Sequence, residues 1–322
     1  MHRDVVVIGG SAGSISVLRT LVSSLAEDIS AAIFIIVHSP PRTGNQLTQM
    51  LQKYARIPVR EASDGAALEH GVIYVAQPDR HVLIADGHMH STRGPKEGLH
   101  RPSINVTFRS AAQALGPRVI GVLLSGMLDD GASGLWEISR RGGVAIIQDP
   151  DDALFPSMPL NALRDAAVHY RLRANEIAPL LKPLVDGLEM PQRWANRDSD
   201  SPAEQFSGLT CPECRGPLYE RYLTPTLSEF RCRVGHVFSP RILLEEHTST
   251  QERKMYEAML ALEEGASLAE YIANQSSAEE REGLINEADQ LRQYASGIRK
   301  MIEDRRFTSD SGTDVSAGTN QR

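Results

Sequence analysis

The chain has 322 residues, 41% of them hydrophobic and 23% charged, which is too much for one ordinary core and suggests two or three folding units. A formal net charge of -7 argues against a broad nucleic-acid or acidic-membrane footprint. The longest apolar runs, such as AAIFIIV at 31–37, fall well short of a bilayer span, and Asp4 interrupts any signal-peptide pattern, so a cytoplasmic protein without membrane insertion is expected.

Up to about residue 190, short β-branched runs alternate with amphipathic stretches. The runs are VVVIG (5–9), AIFIIV (32–37), VIYVA (72–76), HVLIA (81–85), VIGVLLS (119–125) and VAIIQ (144–148). Between them, Ile15, Leu18, Val22 and Leu25, and again Ile104, Phe108, Ala111 and Leu115, recur at helical spacing. This alternation predicts an α/β fold, a doubly wound and mostly parallel sheet with helices on both faces. Segments 57–62 and 88–92 could add an antiparallel hairpin.

Residues 191–207 are polar and punctuated by Pro, Ser and Asp, and read as a linker. A cysteine-bearing module follows at 208–240. Over 241–306, Met255, Met259, Leu262, Ala266, Ala269 and Ala273 step by four and three, and Leu284, Ala288, Leu291, Ala295, Ile298 and Ile302 repeat the steps after the break NQSS. Two such stripes predict an antiparallel helical hairpin or a longer coiled-coil arm, closed by self-packing or used for self-association or regulator docking. The tail, 307–322, has little to bury and is expected to be disordered.

The first strand runs into GGSAGS (9–14), where Gly9-x-Ser11-x-Gly13 fits a nucleophile turn at the start of a helix. A glycine-rich phosphate cradle fits the same residues, although the full GxGxxG spacing is absent. A serine hydroxyl needs a base and a group to orient that base. His38 ends the second strand and Asp130 follows a later one, so a parallel sheet can bring all three residues to one edge. Singly, His38 is more often a turn or strand-end residue than a base, Asp130 before Gly131 is usually a turn former, and Asp129 competes with Asp130.

The three cysteines, Cys211, Cys214 and Cys232, form with His236 a Cys-x2-Cys, 17-residue gap, Cys-x3-His pattern. This is the spacing of a closed four-ligand zinc shell, which leaves no position for a substrate water and is therefore structural; a redox dithiol or plain core residues are the alternatives.

Residues 4 to about 185 resemble the catalytic domain of CheB-type chemoreceptor glutamate methylesterases. The resemblance is carried by GGSAGS, the strand ending in His38 and Ser39-Pro40, YVAQPDRHVLI, RPSINVTFRSAA, LLSGMLDDGASG and QDPDDALFPSMP. It implies that Ser11 is the nucleophile, His38 the base and Asp130 the orienting carboxylate, the last because the family's aspartate directly precedes the glycine. Backbone N–H groups of Ala12 and of the Gly126–Met127 loop are the expected oxyanion donors, each worth about 3 kcal/mol in the transition state. The implied reaction, which needs no catalytic cofactor, is hydrolysis of glutamyl γ-methyl esters on cytoplasmic helices of methylated chemoreceptors or similar signalling proteins, with glutamine deamidation by the same chemistry. Ser14 and Asn105 depart from residues common in the family, and no receiver domain precedes the resemblance. A non-catalytic scaffold that uses the fold and the zinc-helix arm for partner binding is the alternative.

Overall fold

In the computed structural model, which describes residues 2–40, 44–188 and 204–310, the apolar runs become strands and the stripes become helices. β1 (Val5–Gly10) leads into α1 (Ser14–Ser23), and β2 (Ala32–Val37) is followed by α2 (Gln46–Gln52). Next come β3 (Val59–Glu61), β4 (Ala66–Ala67), β5 (Val72–Val75), β6 (His81–Ala85) and β7 (His88–Thr92). The α/β region is completed by α3 (Ile104–Leu115), β8 (Val119–Leu123), α4 (Ala132–Arg140), β9 (Val144–Gln148), α5 (Ser157–Asp165), β10 (Tyr170–Leu172) and α6 (Ala174–Val185).

Seven of these strands form one sheet in the order β10-β9-β8-β1-β2-β5-β3, and every pair in it is parallel. Period-two alternation sends the side chains of β1 to opposite faces. Val6 and Ile8 join the core that includes Leu18, Leu21, Ile177 and Leu181 of α1 and α6. Val5 and Val7 join the core that includes Ile104, Phe108 and Leu135 of α3 and α4. Both faces are thus dry, and each fully buried Val, Ile or Leu contributes on the order of 1.5–3 kcal/mol. From β1 the chain passes to β2 on one side and later returns to β8 on the other. The carboxyl end of β1 is therefore a switch point, where open α/β sheets form a crevice.

Two expected strands behave differently. HVLIA leaves the main sheet and pairs antiparallel with β7, because Asp86 and Gly87, at φ 49° and 75°, make a two-residue turn of the primed kind that matches strand twist. Residues 59–61 instead extend the main sheet as a parallel edge strand, so 57–62 and 88–92 do not pair with each other.

β11 (Glu204–Thr210), β12 (Pro217–Tyr222), β13 (Ser228–Cys232) and β14 (Val237–Phe238) form a separate antiparallel sheet. The expected linker lies, up to residue 203, outside the described residues, and its last four positions already belong to β11. Two long helices follow, α7 (Pro240–Ala273) and α8 (Ala278–Asp310). The chain divides into two compact units, Met1–Leu243 and Leu244–Arg322. Within the second, Ala266, Ala269 and Ala288 pack together beside Leu291, with Arg292–Glu270 and Arg299–Glu263 ion pairs at 2.5 and 2.7 Å. All twelve predicted stripe positions are buried or half-buried. The helix continues to Asp310, past the expected boundary at 306, and residues 311–322 of the expected tail lie outside the described residues. Among the described residues, no helix is long and apolar enough to cross a membrane.

Candidate active site

The chain leaves β1 at Gly10 and enters α1 at Ser14, so Ser11 sits on a three-residue turn. Gly13 has φ 76°, and a Cβ there would fall 2.8 Å from Ser125 Oγ, so this corner requires glycine. The Ser11 N–H donates to the Ser125 carbonyl at 3.0 Å, which ties the turn to the end of β8. The Ser11 carbonyl accepts the buried Ser14 hydroxyl at 2.7 Å, a bond that glycine at position 14 could not make.

His38 emerges directly from β2. Its Nδ1 lies 3.0 Å from Ser11 Oγ, and its Nε2 lies 2.7 Å from Asp130 Oδ2. The sheet edge therefore brings Ser11, His38 and Asp130 into one hydrogen-bonded line. With the ring proton on Nε2, facing the carboxylate, Nδ1 is left to accept the serine hydroxyl. The two nitrogens are used in the reverse sense to the serine-protease arrangement, which sequence could not have indicated.

Asp130 lies at the N-terminus of α3. Its Oδ1 accepts the Ser103 hydroxyl and the Asn105 N–H, both at 3.0 Å, and its Oδ2 accepts the Ile104 N–H at 2.8 Å. Burial alone would push this carboxyl up; the His38 bond and charge, the nearby His100 and the Asn105 amide outweigh it and hold the group well below the usual carboxylate range. The fixed negative charge meets the positive end of the helix dipole. Asp129 points elsewhere, its Oδ1 accepting the Ser239 hydroxyl at 2.8 Å, and burial raises its carboxyl to about 6.

Four contributors were not singled out for these roles by sequence reasoning. Ser103 caps the relay carboxylate, and its position just before the α3 stripe was the available signal. The Asn105 side-chain oxygen accepts the Gly131 and Gly134 amides at 2.9 and 2.8 Å and so closes the start of α4. His81 Nδ1 accepts the Ser103 N–H at 3.2 Å. The His100 ring lies over His38.

Of the expected oxyanion donors, Ala12 follows Ser11 on the turn, and Met127 follows a glycine pressed against it. A Cβ on Gly126 would lie 3.0 Å from Ser11 Cβ and 2.0 Å from Met158 Sδ. The Gly126 N–H is taken by the Phe155 carbonyl at 3.0 Å, whereas the Ala12 and Met127 amides have no acceptor among the described residues. A cleft of about 470 Å³ opens beside Ser11 and His38, lined by Ile15, Leu47, Met50 and Glu61 among others. Ile15 is 42% exposed, and its place in this wall explains why that stripe residue is missing from the core. A larger cavity of about 670 Å³, near His70 and Arg118, includes no member of the relay.

In the module, the ligand atoms of Cys211, Cys214, Cys232 and His236 all lie within 4.8 Å of one another, so the four can hold a metal ion. The separations are 3.6 Å for Cys214 to Cys232, and 3.7 and 3.5 Å from His236 Nδ1 to Cys211 and Cys232. A tetrahedral ion with sulfur at about 2.3 Å and nitrogen at about 2.0 Å requires edges of this length.

The family model described as CheB methylesterase matches residues 6–181. A Leptospira interrogans protein bearing the name "Putative protein-glutamate methylesterase/protein-glutamine glutaminase" is 35% identical over 181 residues, covering 56% of this chain and 94% of its own length. An Anaeromyxobacter dehalogenans protein of the same type is 41% identical over 171 residues, 52% of this chain and 49% of that one. The crystal structure of the Thermotoga maritima CheB methylesterase catalytic domain superposes with a TM-score of 0.55 at 28% identity, covering 57% of this chain and all of that domain.

Proposed function

Because the chain belongs to the CheB methylesterase family, we propose that it hydrolyses glutamyl γ-methyl esters on chemoreceptor-like signalling proteins, releasing methanol and leaving a carboxylate. The single observation that carries this reading is the hydrogen-bonded line Ser11–His38–Asp130 at the switch point of the sheet. His38 Nδ1 takes the hydroxyl proton as Ser11 Oγ bonds to the ester carbonyl carbon. Asp130 holds the ring and balances the imidazolium. The oxyanion that forms is received by the Ala12 and Met127 amides, which are free to donate. His38 then returns the proton to the departing methoxide, and a water molecule activated by the same ring releases the glutamate. With a glutamine amide in place of the ester, His38 gives its proton to the departing nitrogen, which leaves as ammonia, so the same groups would carry out deamidation.

The Cys211, Cys214, Cys232 and His236 set suits zinc, and with four protein ligands the ion is structural. A bound ion would cross-link a module too small to close a core unaided, and the hydrolysis would not draw on it.

Methanol release from a methylated receptor fragment, compared between wild type and Ser11→Ala, tests the reading. We expect loss of about 10⁴-fold or more in the variant, and equal rates would remove the enzyme assignment. Metal analysis of the purified chain should find one zinc per molecule.

A further inference from the structure

The Cys3His module is built into the support of the relay. Its apolar core, which includes Leu218, Phe230, Phe238 and Ile242, receives Leu99 and Leu128 from the α/β region. Both leucines hold left-handed backbone, at φ 67° and 62°. Branched side chains seldom adopt this conformation, and it persists only where surrounding contacts over-determine it. Each stands next to the relay in the chain: Leu99 precedes His100, whose ring covers His38, and Leu128 lies two residues before Asp130.

Polar contacts run alongside. The Gly98 N–H donates to the Val237 carbonyl at 2.8 Å, and Ser239 donates to Asp129 at 2.8 Å. Arg109 of α3 is shared between Glu97 and the module's Glu229, the latter at 3.3 Å. At the other end of this segment the Pro95 carbonyl accepts His81 Nε2 at 2.9 Å, and His81 holds the Ser103 amide while the Ser103 hydroxyl holds Asp130. Two segments, 95–100 and 127–130, therefore bear on the module at one end and on the relay at the other.

We propose that the metal-loaded module is a positioning element for the relay: the ion keeps in shape the surface that clamps Leu99 and Leu128, and this clamp aligns His38 with Asp130. The inference rests on the reading of Ser11, His38 and Asp130 as catalytic. Four short strands and a few apolar side chains make a core too small to persist without its cross-link. On metal loss the two strained leucines relax and the relay loosens, while the seven-stranded sheet, with its own two cores, stays folded.

The test uses the full chain and two readouts that need no receptor. A fluorophosphonate probe reports Ser11 reactivity as a function of pH, and amide hydrogen exchange reports local opening. Chelator-stripped protein should label at least tenfold more slowly, recover on addition of zinc alone, and exchange faster at 98–105 and 127–132 with β1, β2 and β8 unchanged. Leu128→Ala, with zinc retained, should also label several-fold more slowly and show a displaced pH profile, whereas Leu128→Met should restore both. The proposal is overturned if verified metal removal leaves labelling and exchange unchanged, or if the central strands open together with the module. Equal labelling of Ser11→Ala would instead overturn the catalytic reading itself, and this inference with it.

Discussion

The imidazoles of His100 and His38 lie face to face, their centroids 3.6 Å apart and their planes 11° from parallel. Burial, together with the neighbouring His38, lowers the His100 pKa to about 4, so at neutral pH an uncharged ring backs the one bonded to Ser11. The unfolded chain binds a proton at this position near pH 6.5, and the folded one does not until about 4. Stability is therefore lost as pH falls through that window. Replacing His100 by Gln should flatten the decline in melting temperature between pH 6.5 and 4, and lower kcat/KM several-fold through loss of the stack. Thermal melts at fixed ionic strength check the first expectation, and ester hydrolysis checks the second.

Asp130→Asn should lower kcat by about 10³ to 10⁴, because the amide's N–H₂ opposes the Nε2 proton and favours the unproductive tautomer. Asp130→Ala should in addition destabilise the fold by about 2–4 kcal/mol, since it strips the acceptor from the amides that begin α3. Comparing the two variants in kinetics and urea unfolding separates the effects.

Asp129 predicts the opposite sign. Its carboxyl is raised by burial to about 6, so its unfavourable share appears as pH climbs past the unfolded value of 3.8 and is complete above 6. Asp129→Asn keeps an acceptor for Ser239 and should raise stability at pH 8 by about 1–3 kcal/mol, with little change at pH 4. Equal shifts at both pH values would contradict the burial argument.

Arg109 is enclosed with Glu97 and Glu229, and burial pushes the Glu97 carboxyl up. Arg109→Met leaves two carboxylates facing each other in a dry site and should cost about 3–5 kcal/mol. Adding Glu97→Gln and Glu229→Gln should recover most of that loss, which a triple-mutant series in guanidinium would measure.

In the second unit, Ala288 is fully buried against Ala266 and Ala269. Ala288→Leu should overfill this close approach and cost about 1–3 kcal/mol, measured as an earlier unfolding of the helical signal. Ser11 labelling should be unaffected.

The parallel sheet was legible because its strands are buried on both faces and read as unbroken apolar runs, and the hairpin because its stripe repeats without error over twelve positions. Ser11, His38 and Asp130 stood out at strand ends, where a parallel sheet gathers residues far apart in the chain. HVLIA looked identical to the buried parallel strands, and only the two-residue turn at Asp86–Gly87 betrays its antiparallel partner. His81 and His100 gave no periodic signal, since each acts through a loop contact. The clamp on Leu99 and Leu128 was invisible for a plainer reason: it joins segments more than 80 residues apart through surfaces, with no local pattern at either end.

One carboxylate at position 130 both faces the imidazole and closes the amides at the head of α3. If Asp130 serves the proposed reaction, folding and turnover draw on the same two oxygen atoms, and a saturation library scored by soluble yield would deplete this position as severely as any interior hydrophobic one. Only a paired screen, yield beside turnover, would separate a chemical role of this position from an architectural one.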